Sequence, residues 1–202
     1  TTVPLEFEPC GSWFVVFRAT AAAPRTPARS NFPEFAPLVE LTGAWRVTFD
    51  PRWAGPGPVD FPALVSWPAR KEPGIRYYSG TAVYRKNFDL PAAVPRRDAV
   101  ARLVLDLGLV RELAEVKVNG RSLGIVWAPP FRVDLTDVVK PTGNVLEIEV
   151  VNFWPNRVIG DAALPVEKRL TKTNILELKA ETPVVESGLL GPVRLGIVKA
   201  RE

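Results

Sequence analysis

Short runs in which apolar and polar residues strictly alternate, separated by turn residues, fill this sequence from residue 34 onward and constrain its fold more than any other feature. Trp45, Val47 and Phe49 alternate with Arg46 and Thr48. Ala82, Tyr84 and Phe88 share one face of a second run, while Thr81, Arg85 and Asn87 lie on the other. Leu103, Leu105 and Leu107 repeat the pattern, as do Phe131, Val133 and Leu135, then Leu146, Ile148 and Val150, and finally Val193, Leu195 and Ile197. Val116 and Val118 lead into Asn119-Gly120, a pair favoured in two-residue hairpins because both central positions need positive φ, and residues 123–127 return. A period of two gives each strand one dry face and one wet face. Sheets of this kind hide their dry faces by stacking, so the pattern predicts an all-β, jelly-roll β-sandwich over residues 34–202, with a closed barrel as the alternative topology.

The first 33 residues break this pattern. Residues 4–18 are apolar and aromatic, ending in Trp13-Phe14-Val15-Val16-Phe17, and read as a buried strand. Residues 19–33 hold three prolines, many alanines and no periodicity, which is the composition of a linker. The expected layout is a strand in 1–18 left from a preceding domain, a linker in 19–33, and the sandwich in 34–202. The absence of Met, even at position 1, points the same way, to a piece of something larger.

Two other absences narrow the chemistry. With no His, zinc hydrolases of His type, Ser-His-Asp triads and His general bases are excluded. A single Cys10 excludes an internal disulfide framework. The 26 basic and 22 acidic residues are interspersed with no basic stripe, so no nucleic-acid partner is expected. No apolar run approaches the roughly 20 residues of a helical span, so no membrane partner is expected either.

No enzyme motif is present. Asp106, Glu112, Glu115 and Asp134 supply carboxylates, but strand alternation turns most such acids to solvent, and catalysis by this chain alone is not expected. Aromatics beside polar groups are the better lead, because a sugar offers apolar C–H faces together with dense hydroxyls. Asn152, Trp154, Asn156, Arg157 and Asp161 combine those elements directly after a strand end, at the start of a long connection over 152–186 that breaks the alternation and reads as a loop, and Trp127 with Arg132 forms a second cluster. The competing reading makes Trp127 and Trp154 plugs at the ends of the sandwich. Trp45 and Trp67 are assigned to the core. A structural calcium is compatible with a jelly roll, but no Asp, Asn or Glu spacing singles out its ligands, and no other cofactor is expected.

At these residues the sequence resembles a known family. Residues 77–88 (YYSGTAVYRKNF) are similar to a segment of glycoside hydrolases that carry a galactose-binding-like jelly roll. LDLG at 105–108, EVKVNGRSLG at 115–124 and WAPPFRVDLT at 127–136 follow in the order seen there. The run 151–161 (VNFWPNRVIGD) and SGLLGPVRL at 187–195 resemble the C-terminal region of glycoside hydrolase family 106, the α-L-rhamnosidases; GSWFVVFR at 11–18 resembles the stretch before it. Such enzymes keep their catalytic acid and base on a separate (β/α)-barrel, so the resemblance carries no catalytic residue over. It implies a non-catalytic accessory sandwich that contacts carbohydrate or braces the catalytic domain. Its partners would then be a rhamnose-containing glycan or that catalytic domain, in the periplasm or outside the cell. The alternative is a protein-interaction module using Leu189-Leu190 and Trp13-Phe14 as apolar patches.

Overall fold

The computed structural model describes residues 5, 7, 11–17, 34–92, 94, 101–175 and 177–199. Its elements are β1 (Phe35–Glu40), β2 (Trp45–Phe49), β3 (Gly57–Phe61), α1 (Pro73–Arg76), β4 (Thr81–Phe88), β5 (Ala101–Asp106), β6 (Leu109–Arg111), β7 (Leu113–Val118), β8 (Arg121–Val126), β9 (Arg132–Asp134), β10 (Asn144–Val151), α2 (Pro155–Ala162), β11 (Gly188–Gly191) and β12 (Arg194–Lys199). A six-stranded sheet runs in the order β3-β2-β4-β10-β7-β8, a four-stranded sheet in the order β1-β12-β5-β9, and β11 pairs with β6. The expected all-β sandwich is what the chain forms.

Alternation decides which residues enter the interlayer space. Val47, Phe49, Ala82, Tyr84, Val116, Val118, Ile148 and Val150 from the larger sheet meet Leu103, Leu105, Val133 and Leu195 from the smaller one in a single buried cluster. Trp45 and Trp67 join that cluster, as expected. Phe49, Trp67 and Tyr78 pack edge to face with ring centroids 5.0–5.5 Å apart. Each such pair adds about 0.5–1.5 kcal/mol beyond its buried area. The Tyr84 hydroxyl satisfies two buried donors, accepting from Trp67 Nε1 at 2.6 Å and from the Leu189 amide at 3.2 Å.

The opposite face of the large sheet is wet and charged. One cross-strand row passes through all six strands as Asp60, Arg46, Arg85, Glu147, Lys117 and Ser122. Arg46 pairs with Asp60 at 2.9 Å and Arg85 with Glu147 at 2.5 Å, so the two adjacent arginines each have an acid on the far side. Lys117 bonds Glu149 in the next row.

The Asn119-Gly120 turn forms as expected, with φ of 52° and 80°. The return strand carries an irregularity, because the register shifts between Glu115 and Lys117. Gly124 takes up the extra residue at φ 98°, and Ile125 thereby pairs opposite Glu115 on the outer face, where it is exposed.

Three local expectations fail. Residues 11–17 carry no strand and are exposed, so the burial expected for Trp13 to Phe17 is not found, while the linker expected over 19–33 lies outside the described residues. The 152–186 connection, expected as loop, contains α2. Leu189 is fully buried and Leu190 partly so, because β11 packs its apolar residues inward; they make no surface patch.

Strand directions gather several connections at one end of the large sheet. Phe49 at the end of β2 pairs with Ala82 at the start of β4, and Thr81 pairs with Val151 at the end of β10. Val151 in turn pairs with Leu113 at the start of β7, and Ala114 pairs with Val126 at the end of β8. The α2 helix therefore sits at the same end as residues 50–56, 77–80 and 127.

Candidate functional site

At this end the run 152–161 does not fold as a loop. Pro155 occupies the first helical turn, where its missing N–H is no loss and its fixed φ suits a helix. The resulting α2 is buried from Asn156 through Asp161. Gly160 is required there, because a Cβ would come within 2.7 Å of the Tyr77 ring.

Winding the segment into a buried helix turns its polar side chains inward. Asn152 donates to the Tyr78 carbonyl and to Ser187 Oγ, both at 3.0 Å, and accepts from the Gly80 amide at 2.9 Å. Asn156 donates to the Val185 carbonyl at 2.7 Å and to Ser187 Oγ at 3.0 Å, and accepts from the Val185 amide at 2.7 Å. Both donors of both amides are thus occupied within the protein. Ser187 also ties back to Ser66, whose hydroxyl accepts from its amide at 3.1 Å.

Arg157 and Asp161 form a buried i,i+4 pair beneath this network. Asp161 Oδ2 accepts from the amide and the hydroxyl of Thr171, each at 2.7 Å. Its Oδ1 faces Arg157 Nε at 3.6 Å, an attraction between charges without a hydrogen bond. Burial lowers the guanidinium's pKa, and the Asp161 charge opposes that shift. The chain amide of Arg157 donates to Ser79 Oγ at 3.1 Å. Four separate segments, 66–80, 152–161, 171 and 185–187, are stapled into one end cap.

What this cap leaves at the surface is aromatic. Trp154 is 51% exposed, Phe153 58% and Trp127 76%, so neither tryptophan is a plug. Arg132 is turned elsewhere. It bonds Asp106 Oδ2 at 2.7 Å and lies over the Phe35 ring at 4.5 Å. The structure brings Asn152, Asn156, Arg157 and Asp161 together, but as internal partners, and leaves Trp154 outside them.

The strand carboxylates have similar structural tasks. Asp106 also accepts from the Gly108 amide at 2.8 Å, Glu115 accepts from Ser122 Oγ at 2.8 Å, and Asp134 accepts from the Thr136 amide at 2.9 Å. Among the described residues no group of three or more His, Cys, Asp or Glu could hold a metal ion. A cavity of about 560 Å³ opens beside α2, lined by Val158, Ala162, Ile175 and Leu178 with Arg169 and Lys172.

Sequence reasoning missed Tyr78, Ser79 and Ser187 as partners, since each lies far from 152–161 along the chain, and Thr171, ten residues beyond Asp161, since nothing in the letters shows the chain turning back there. One signal was available, the Pro155 that opens the helix.

Comparison with known proteins places these features in longer chains. No family model matches the sequence. Over 183 residues it is 36% identical to a protein of Formosa agariphila named "Putative beta-glucuronidase", an alignment that covers 79% of this chain and 16% of that protein. Among solved structures, the rhamnosidase from Novosphingobium sp. PP1Y superposes with a TM-score of 0.75 at 36% identity, over 81% of this chain and 15% of the other. A beta-glucuronidase from an uncultured Clostridium species shares the fold with a TM-score of 0.57 at 24% identity, over 85% of this chain and 31% of the other. The chain is thus similar to one portion, about a sixth, of longer proteins named for glycoside hydrolysis.

Proposed function

We propose that this chain is a non-catalytic accessory β-sandwich of an α-L-rhamnosidase-like glycoside hydrolase, and that it braces the rest of the enzyme without binding carbohydrate on its own. The observation that carries this reading is the inward orientation of the 152–161 polar groups. A sugar subsite needs directional donors and acceptors beside its aromatic platform, and here Asn152, Asn156 and Asp161 are bonded to the protein itself. The likeness to a solved rhamnosidase favours that activity for the whole enzyme over the glucuronidase suggested by the other relative's name.

Calorimetric titration of the chain with rhamnose and rhamnosyl oligosaccharides tests the bracing role. No binding tighter than about 10 mM is expected. Millimolar or tighter binding that Trp154→Ala abolishes would replace bracing with carbohydrate contact. The complete protein encoded by the reading frame should release aglycone from an aryl α-L-rhamnoside, and this chain alone should not. Turnover of a glucuronide and not of the rhamnoside would correct the specificity.

A further inference from the structure

We infer that the α2 end of the sandwich is the surface on which the remaining polypeptide of the enzyme seats, with Trp53, Trp127, Phe153 and Trp154 as its apolar anchors. This rests on the accessory-domain reading and adds the place and chemistry of the contact.

The first support is an asymmetry. Trp53 follows β2, Trp127 follows β8, and Phe153 and Trp154 follow β10, and all three strands end on the same side of the sheet. These four side chains are 49–76% exposed. At the other end, around the 119–120 turn and the start of β10, the large apolar side chain exposed to a comparable degree among the described residues is Val145, at 44%. The sheet's outer face offers the charged row through Arg46, Arg85, Glu147 and Lys117, with its ion pairs already made. Of the two ends of the sandwich, the α2 end is the one suited to an apolar contact; among the described residues the other exposed aromatic run, 13–17, belongs to no strand of it, and Ile125 stands alone beside the charged row.

The second support concerns the occupant. An aromatic surface without converging polar groups suits protein side chains, whereas a sugar would leave its hydroxyls unpaired there. Large aromatics carry about 150–250 Å² each, so four at this exposure leave about 350–600 Å² of apolar surface open. That is a substantial share of one side of an interdomain contact, which runs to about 600–1,500 Å². The relatives supply the remaining chain, since about five-sixths of their length lies outside the match. The buried Asn152, Asn156 and Ser187 network fixes the helix that carries Trp154, so the anchors are presented on a rigid base.

The test compares thiol labelling in the isolated chain and in the complete encoded enzyme, in a Cys10→Ser background. Trp127→Cys and Trp154→Cys probe the α2 end, and Arg121→Cys probes the opposite end. Maleimide labelling at the first two should be slower in the complete enzyme by about an order of magnitude or more, with Arg121→Cys unchanged. Either probe suffices if the other variant fails to fold. Equal rates in a complete enzyme that hydrolyses the rhamnoside would overturn the docking surface and leave the accessory reading intact. A reading frame that encodes no further enzyme chain would overturn both. Protection in the isolated chain that rises with its concentration would assign the surface to a second copy, and protection there by rhamnosyl oligosaccharides would assign it to sugar. Each of these outcomes refutes the inference.

Discussion

Replacing Asn156 with alanine separates an internal staple from a binding residue. The side chain is 1% exposed and makes three bonds, two with the amide and carbonyl of Val185 at 2.7 Å and one with Ser187 Oγ at 3.0 Å. Alanine removes all three and leaves both backbone groups of Val185 without these partners. A net hydrogen bond contributes about 1 kcal/mol, and a buried group left unsatisfied costs about 1–3 kcal/mol. Val185 is itself exposed, so water can reach part of the vacated site, and the expected loss is about 2–4 kcal/mol. For a chain of this size that corresponds to a fall in Tm of roughly 4–16 °C. Urea unfolding followed by tryptophan fluorescence should show the lower midpoint at an unchanged m value. If Asn156 instead faced solvent to await a sugar, the variant would stay within about 0.5 kcal/mol of the parent chain. That result would refute the staple. The pair with Ser187→Ala should be non-additive by about 0.5–3 kcal/mol, because both side chains share one node.

Four other variants probe the fold. Asp161→Ala should destabilise by about 3–5 kcal/mol, because it strands the buried Arg157 charge, whereas the double variant Arg157→Met/Asp161→Leu should lose less; equal losses in denaturant titrations would mean the pair is not coupled. Gly120→Val should cost about 1–2 kcal/mol from positive φ alone, since nothing lies within 4 Å of an added Cβ, and an unchanged Tm would contradict the turn geometry. Burial, only partly offset by bonds to Leu189 and Trp67, pushes the Tyr84 pKa up to about 12 from 10.0. Its stabilising contribution is therefore whole below pH 10 and is lost as pH rises toward 12, so Tm should drop across that window. Tyr84→Phe should flatten the drop without abolishing it, because burial also raises Tyr78; a profile identical to the parent's would refute the assignment.

The sandwich was legible because its strands are half-wet. Wherever one face meets water, as at Trp45-Arg46-Val47-Thr48-Phe49, the period of two is visible in the letters. Where both sides are covered, or the strand is only a few residues long, there is no alternation to find, and β6 and β11 were missed for that reason. The α2 helix was hidden by its short length. Its polar residues Asn156, Arg157 and Asp161 do share one face, opposite Val158, Ile159 and Ala162, but eight residues are too few for the period to stand out, and Trp154, Pro155 and Gly160 read as turn material. The same step decides where the polar side chains of 152–161 point. Side chains on a loop can face a ligand, but those on a buried helix face their own protein, and the letters Asn, Arg and Asp do not say which. Residues 11–17 were misjudged in the other sense, since apolarity alone does not name what covers a segment.

The return segment after α2 has a consequence for how this sandwich tolerates change in length. It is pinned at Thr171 by Asp161 and at Val185 by Asn156, so its two ends are held by side chains of one helix. Lengthening a loop between fixed ends costs little, about 0.6 kcal/mol for each doubling. Moving either pin by one residue would instead break paired bonds in a buried cap. Insertions should therefore be accepted between residues 172 and 184 and rejected just outside them. The same span offers a place to graft a reporter or a second module while the sandwich itself stays unaltered.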